Sequence, residues 1–292
     1  ATYYLTFLPN GLSETATISG LTISKSRGSH TTLEGVCQYC QHGIFSYTTA
    51  DGKTIPLASN IDFGSKILSH TVDNNGECII EFEGKFTRIP DRAFLNTKIN
   101  SNNIKIPNTV TSIGSYAFNN TAISGPLYIP NSVTEIGEGA FENCMNLYSL
   151  SLQSNLKRIG NRAFYACRFS GSLTIPNSVT EIGEKAFYNC TGFNGTLTLS
   201  NKLETIGESA FYGCSGFTGS LTLPNSVTTI GNAAFRACGS FTNLELSNTL
   251  SVIPAQAFMN CRSLSGELVI PASVTEIGNN AFSDCQNLNA VT

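Results

Sequence analysis

The sequence predicts a repeat solenoid, in which short stacked units share one continuous core. The phrase I-G-x-x-A-F, with proline for glycine in two copies, recurs nine times at intervals of 23 or 24 residues. Each copy is preceded by alternating apolar and polar residues, and only 13% of the chain is charged. Repetition at a period of about 20 to 50 residues is typical of units that bury their apolar faces by stacking. The repeat phenylalanines are Phe94, Phe118, Phe141, Phe164, Phe187, Phe211, Phe235, Phe258 and Phe282.

Each unit is predicted to open with a short strand. Leu173 and Ile175 flank Thr174, and this period of two places the aliphatic side chains inward and the threonine outward. Stacking the equivalent strands predicts a parallel sheet on one face of the coil. The equivalent pairs are Leu127/Ile129, Leu150/Leu152, Leu197/Leu199, Leu221/Leu223, Leu244/Leu246 and Leu268/Ile270.

Two further pieces complete the unit. Pro176 has no N–H to donate and Asn177 favours turns, so the chain is predicted to bend after the strand. Residues 179–182 are predicted to form a second short extended piece on another face. Residues 184–190 then suit one helical or 3-10 turn, which brings the repeat phenylalanine inward.

A glycine precedes this last turn in seven units, whereas Pro90 and Pro254 replace it in the other two. Proline fixes φ near −65° and lacks an N–H. We therefore predict a negative φ at this position, an amide that makes no ladder hydrogen bond, and a glycine selected for its small size. The glycines are Gly114, Gly137, Gly160, Gly183, Gly207, Gly231 and Gly278.

Residues 1–78 lack the repeat and contain all three histidines. Turn signals such as Asp51-Gly52 indicate a β-rich segment. Because a solenoid needs a polar cap over its first coil, residues 1–78 are predicted to be an N-terminal cap or small β-rich domain. Residues 79–292 are predicted to be the solenoid of nine units.

The phrases I-P-N-S-V-T-E-I-G-E-G-A-F-E-N-C at 129–144 and I-P-N-S-V-T-E-I-G-E-K-A-F-Y-N-C at 175–190 resemble the BspA-like leucine-rich repeat family. The resemblance covers about residues 79–292. It implies a leucine-rich-repeat-like right-handed coil and a surface or secreted protein of bacteria or some protists. The role that it implies is adhesion or protein binding, and it implies no chemistry.

Seven of the ten cysteines hold one position in the repeat, where the first two units have Thr97 and Thr121. Side chains that all point the same way are poorly placed for disulfides, and buried cysteine behaves as a small hydrophobic residue. We therefore predict unreactive core thiols. They are Cys144, Cys167, Cys190, Cys214, Cys238, Cys261 and Cys285.

The N-terminal segment holds the residues that could bind a metal, namely Cys37, Cys40, Cys78 and His42. A C-x-x-C pair beside a histidine is compatible with zinc, but a second tightly spaced ligand pair is missing. No metal site is therefore predicted. A Cys37–Cys40 disulfide, a disulfide of Cys78 and free thiols all stay open.

The sequence argues against an enzyme. Residues 71–292 contain no histidine, so a serine or cysteine nucleophile there would lack its usual base. Glu135, Glu181 and Glu276 share a repeat position, which suits a solvated edge better than a glycosidase pair. No catalytic residue and no cofactor is predicted. The net charge of −3 without a basic cluster disfavours nucleic acid, and no transmembrane segment of about 18 apolar residues is found.

Candidate ligand-binding residues lie directly after the repeat phenylalanine. Tyr165, Tyr188 and Tyr212 stand there in three successive units, and Arg236 stands there in the fourth. A strip of tyrosines ending on an arginine suits a sugar ring or a protein hot spot, although tyrosines also simply pack on their neighbours. Tyr128 is the one aromatic residue in the outward row of the first strand.

These observations predict a non-enzymatic, adhesin-like binding module at the cell surface or in the extracellular space. The expected partner is a protein, such as a host surface or matrix protein, or a glycan. The alternative is a structural spacer, with recognition in residues 1–78 or in a further C-terminal part. The chain begins at Ala1 without a charged and apolar leader, so we expect a signal segment that has been removed.

Overall fold

The structure, a computed structural model, describes residues 43–292 and four strand segments before them. The described residues form an N-terminal sheet followed by nine stacked coils. The strands are β1 Thr15–Ile18, β2 Leu21–Ser24, β3 Thr32–Leu33, β4 Val36–Cys37, β5 Gly43–Tyr47, β6 Ile67–Val72, β7 Cys78–Phe82, β8 Arg88–Ile89, β9 Ser112–Ile113, β10 Ser124–Tyr128, β11 Glu135–Ile136, β12 Asn146–Ser151, β13 Arg158–Ile159, β14 Leu173–Thr174, β15 Glu181–Ile182, β16 Leu197–Thr198, β17 Thr205–Ile206, β18 Gly219–Thr222, β19 Thr229–Ile230, β20 Phe241–Glu245, β21 Val252–Ile253, β22 Ser265–Leu268, β23 Glu276–Ile277 and β24 Asn287–Val291.

The described N-terminal residues form β-strands that cover the first coil. Five antiparallel strands lie in the order β3-β4-β5-β7-β6, and β1 pairs with β2. Buried aromatic rings on one side of the five-stranded sheet cover the first coil, and the ring of Phe45 stacks on that of Phe94 at 5.3 Å. The predicted division after residue 78 runs through β7 (Cys78–Phe82), which pairs on both sides with cap strands. Whether the two parts fold separately stays a prediction.

One column of stacked phenylalanine rings runs through the solenoid. Neighbouring repeat phenylalanines, from Phe94 to Phe282, have ring centroids 5.1 to 5.7 Å apart. A shorter column of Phe169, Phe193, Phe217 and Phe241 lies beside it. Each unit therefore completes its core with a ring from the next unit, which confirms the predicted stacking.

The coils carry parallel strands on two faces, and the second face has the longer sheet. The predicted first strands pair only in twos, namely β10 with β12, β14 with β16, β18 with β20 and β22 with β24. The second extended pieces form a seven-stranded sheet in the order β19-β17-β15-β13-β11-β9-β8. Thr174 and its equivalents on the first face are exposed, as predicted.

The glycine of the repeat has a negative φ in all seven units, as predicted. A Cβ on Gly183 would lie 2.6 Å from the backbone nitrogen of Asn161, so its small size is also required. The prediction that its amide makes no ladder bond was wrong. The N–H of Gly183 donates to the carbonyl of Ile159 at 2.8 Å, and the other six glycines make the same bond.

Proline at this position coincides with a break in the sheet. Pro254 has no N–H to donate to the carbonyl of Ile230 in the preceding coil. The seven-stranded sheet ends with that coil at β19, and β21 pairs instead with β23 on its other side. Pro90 lies in the first coil, where no preceding coil needs a donor.

The segment predicted as a helical or 3-10 turn is instead a run of linked turns. Lys185 and Asn189, two residues either side of Phe187, have φ of 53° and 55°. Equivalent left-handed residues occur in all nine units, and they cannot belong to a right-handed helix. Alternate N–H groups of this segment donate to the next coil and not within the turn. For example, the N–H of Phe187 donates to the carbonyl of Ala210 at 2.8 Å. Between-coil bonding thus replaces helical bonding.

Candidate functional site: a tyrosine column

Tyr165, Tyr188 and Tyr212 form a second aromatic stack outside the phenylalanine column, and we call these three residues the tyrosine column. Each follows a fully buried phenylalanine and is itself half-buried. The Tyr165 and Tyr188 ring centroids are 4.9 Å apart at 2°, and those of Tyr188 and Tyr212 are 4.7 Å apart at 10°. The coil repeat therefore sets the three rings nearly parallel at stacking distance.

An arginine covers each end of the tyrosine column. The guanidinium carbon of Arg162 lies 4.5 Å from the centroid of Tyr165, and that of Arg236 lies 5.4 Å from Tyr212. These distances allow cation–π attraction, which lies within about 6 Å of the ring centroid. Both outer ring faces are therefore occupied.

Further polar contacts hold the two arginines. Glu142, whose side chain is only 7% exposed, pairs with Arg162, with Nε and Oε2 at 3.2 Å. Arg236 donates from Nη1 to Oε1 of Gln256 at 2.5 Å. A buried carboxylate needs such a partner, because an unpaired charge is expensive to bury. The column and its ends thus form one connected row of side chains across several coils.

The arrangement leaves ring edges and hydroxyl groups for a ligand, but no free ring face. Burial, together with the neighbouring Tyr212 and Tyr165, raises the pKa of Tyr188 above its ordinary value. Its phenol therefore stays protonated at neutral pH and can donate a hydrogen bond. A sugar ring that stacks on an aromatic face finds no such face here, whereas a polar protein edge finds hydroxyls and two guanidiniums.

The structure brings together four of the five predicted ligand-binding residues. Arg236 joins the tyrosine column, but Tyr128 is 50% exposed on the outward side of β10, a different face of the coil. Sequence reasoning missed Glu142 and Arg162. Glu142 stands directly after its repeat phenylalanine, just as Tyr165 does, so aligning the units one step further would have found it.

The repeat cysteines are free thiols in the core. The thiol of Cys190 donates to the carbonyl of Phe164 in the preceding coil at 3.0 Å, and every repeat cysteine makes the equivalent contact. Burial raises the pKa of each of them, for Cys144 to about 12. Since the thiolate is the reactive form, these thiols are poor nucleophiles.

The described strands do not bring the candidate metal-binding residues close together. Gly43 of β5 pairs with Val36, the neighbour of Cys37, whereas Tyr47 at the other end of β5 pairs with Cys78. Four residues of strand separate the two positions by roughly 13 Å, too far for a disulfide. Cys78 is a buried free thiol, and Cys40 and His42 lie outside the described residues. Among the described residues, no three His, Cys, Asp or Glu side chains could together hold a metal ion.

The predicted glutamate row lies on the outward side of the second face, with Glu135 and Glu181 in the seven-stranded sheet and Glu276 in β23, which pairs with β21. Arg158 of β13 lies between Glu135 and Glu181, with nitrogen–oxygen distances of 3.8 and 3.2 Å. All three side chains are at least 41% exposed, so the pairs contribute little to stability. Within the described part of the chain, no helix has the length and apolarity needed to cross a membrane.

Comparison with known proteins identifies the repeat. The model of the BspA type leucine rich repeat region matches six copies over residues 77–194 and 170–289. A leucine-rich repeat protein of Bacteroides ovatus is 22% identical, with 78% of this chain and 86% of that chain covered and a TM-score of 0.46. The leucine rich repeat protein of T. pallidum is 21% identical, with coverage of 83% and 90% and a TM-score of 0.41.

A leucine rich cell surface protein of Faecalibacterium prausnitzii is 22% identical, with coverage of 84% and 92% and a TM-score of 0.36. No curated protein matches the chain. The family model spans most of the chain, and it coincides with the stacked coils that carry the repeat phenylalanines. On this ground the chain belongs to the BspA-type leucine-rich repeat family.

Proposed function

We propose that the protein is a non-enzymatic, adhesin-like module, exposed at the cell surface or secreted, that binds a partner protein through the tyrosine column and Arg236. Membership of a repeat family whose solenoids serve as protein-interaction modules supports this proposal. The observation that carries it is the rigid stack of Tyr165, Tyr188 and Tyr212 between two arginines. Tyrosine and arginine are the residue types enriched at binding hot spots.

A protein fits the tyrosine column better than a glycan does. The ring faces are occupied by one another and by Arg162 and Arg236. The exposed edge therefore recognises hydrogen-bond acceptors, such as the carbonyl and carboxylate groups of a host surface or matrix protein. Because stacking already fixes the rings, binding loses little side-chain entropy.

The test is a binding screen of the purified chain against a panel of host matrix and surface proteins and a glycan array. Changing Tyr165, Tyr188 and Tyr212 together to Phe keeps the stack but removes the hydroxyls, so affinity for the protein partner should fall at least about tenfold. The matching change to Ala should weaken binding further. Tyr128→Ala is the control and should bind like the parent, since Tyr128 lies on another face.

Two results would contradict the proposal. Equal affinity of the parent and both triple variants, with folding confirmed by circular dichroism, would remove the tyrosine column as the binding surface. Binding to the glycan array but to no protein would contradict the choice of partner.

A structural spacer is the second candidate. The middle of the first face is an exposed row of Ser151, Thr174, Thr198 and Thr222, which offers no aromatic or arginine anchor. The continuous phenylalanine column gives the stiffness that a spacer needs. A spacer would bind no member of the panel and would tolerate removal of any one unit in its biological setting.

A further inference from the structure

A groove of about 1090 Å³ lies between the cap and the turn side of the first coil. Residues 51–62 of the cap form one wall, and residues 88–98 of the first coil form the other. Its volume is slightly above the range of about 300–1,000 Å³ that is typical of small-molecule sites, so it has room for a short stretch of polypeptide. It lies at the end of the solenoid opposite to β24 (Asn287–Val291).

Described cap residues contact the first coil on its sheet side, after its turn and in the interior. On the sheet side, the N–H groups of Thr87 and Arg88 donate to the carbonyl of Phe63 at 3.1 and 3.2 Å. After the turn, Ala50 donates to Lys98 at 3.3 Å, and Asn100 donates to the carbonyl of Thr48 at 3.1 Å. In the interior, the cap aromatic rings cover Phe94.

The turn side of the first coil has a row of carbonyl groups that accept no hydrogen bond from the described residues. In the second coil, the carbonyls of Ser115, Ala117 and Asn119 each accept an N–H from the first coil, at 2.8 to 2.9 Å. All later coils repeat this ladder. The equivalent carbonyls of the first coil belong to Asp91, Ala93 and Leu95, and no described residue donates to them.

These three carbonyls border the groove, since all three residues line it. They belong to alternate residues, and the donors that fit such a row are amides on alternate residues of another chain segment. Edge backbone groups of this kind bind extended peptides in other proteins. Hydrogen-bond complementarity therefore specifies a polypeptide segment that presents alternate amides, as the linked turns of each coil do to the next coil.

The charges around the groove indicate the charge of the peptide that it binds. Lys98 pairs with Asp51 at 3.0 Å, and Arg88 pairs with Asp62 at 2.5 Å. Lys53, Arg92 and Asp91 also line the groove, and none of the three forms an ion pair with a described residue. Asp91 instead accepts the N–H of Ser115 at 2.7 Å. The lining thus has four basic and three acidic side chains, and this excess of one positive charge favours acidic groups on the occupant.

We propose that this groove is a docking site for an acidic peptide segment of a partner protein. Amides of alternate peptide residues donate to the carbonyls of Asp91, Ala93 and Leu95 and extend the between-coil ladder by one further segment. This site is separate from the tyrosine column, and neither site requires the other.

The test uses the intact chain and a displayed library of random twelve-residue peptides, from which binders are selected and synthesised. We expect binders rich in Asp and Glu. N-methylation of single amides should weaken binding about tenfold at every second position and little at the positions between, because only alternate amides donate.

Two protein variants locate the binding. Ala58→Trp fills the groove from its exposed wall and should abolish peptide binding, whereas Ala272→Trp, an exposed site near the other end of the solenoid, should leave it unchanged. Selection without binders, binders insensitive to Ala58→Trp, or N-methyl effects without a period of two would each overturn the proposal. The panel screen of the tyrosine column reports on the other site independently.

Discussion

Each repeat cysteine works as a hydrogen-bond donor between coils as well as a core side chain. The thiol of Cys144 lies 3.1 Å from the carbonyl of Phe118 in the preceding coil. In the first two units the threonines at this position instead bond within their own turn, as Thr121 does to the same Phe118 carbonyl at 2.8 Å. Cysteine therefore suits this position because its thiol can contact the carbonyl of the preceding coil, and because it is small and apolar.

The buried thiols predict a loss of stability at alkaline pH. Burial raises the pKa of Cys144 from 9.0 to about 12 in the folded protein. Above pH 9 the unfolded state loses its proton while the folded state keeps it, so the free energy of unfolding falls as pH rises. For one such group the slope approaches about 1.4 kcal/mol per pH unit.

The variant Cys144→Thr removes this thiol and keeps a side chain that the same repeat position already tolerates in Thr121. Its free energy of unfolding, measured by urea titration from pH 7 to 11, should decline less steeply above pH 9 than that of the parent. Parallel curves for the two proteins would mean that Cys144 ionises as readily folded as unfolded.

At the scale of the element, the short strand before the turn depends on one residue without a side chain. A Cβ on Gly183 would lie 2.6 to 2.7 Å from backbone atoms of Asn161 and Gly160, which cannot move without shifting the preceding coil. Gly183→Ala should therefore lower the free energy of unfolding by roughly 1–3 kcal/mol.

Gly239→Ala is the matched control for this change. Gly239 also has a negative φ, and the nearest atom to its added Cβ would be the carbonyl oxygen of Asn260 at 3.8 Å, an ordinary contact. Its effect should stay within about 0.5 kcal/mol. Equal losses of unfolding free energy in the two variants would show that crowding between coils is not the reason for glycine at position 183.

Pro254 predicts a second effect on the same element. Pro254→Gly supplies the missing N–H, which should donate to Ile230 and extend the seven-stranded sheet toward β21. The new hydrogen bond and the greater flexibility of glycine each contribute about 1 kcal/mol with opposite sign, so stability should change little. Hydrogen exchange should show a protected amide at position 254, and rapid exchange there would refute proline as the cause of the break.

At the scale of the whole molecule, the sequence predicted the features that follow directly from the repeat period. Nine units, inward phenylalanines and the outward Thr174 all follow from spacing and alternation, and the structure confirms them. The linked turns were not predictable in the same way, because Lys185 adopts a positive φ without being glycine or asparagine. Its conformation comes from bonding to the next coil, which is a long-range effect.

The candidate site was only partly predictable for the same reason. The row of Tyr165, Tyr188 and Tyr212 could be read from consecutive units, but the covering of its end faces depends on side-chain positions. Arg162 reaches over Tyr165 from within the same turn, while Arg236 reaches Tyr212 from the next coil. That covering changes the expected ligand from a stacked sugar to a hydrogen-bonding protein edge.

The most direct test of the account is to remove one unit at a time and measure the dissociation constant for a protein found in the panel screen. Deleting residues 171–194 removes Tyr188 and joins equivalent positions, so the coils should restack. Deleting residues 102–124 removes a unit outside the tyrosine column and serves as the control. The account predicts that both proteins fold cooperatively and that only the first loses affinity, by at least about tenfold. Equal affinity of the two deletion proteins and the parent would contradict recognition by the tyrosine column and support a spacer.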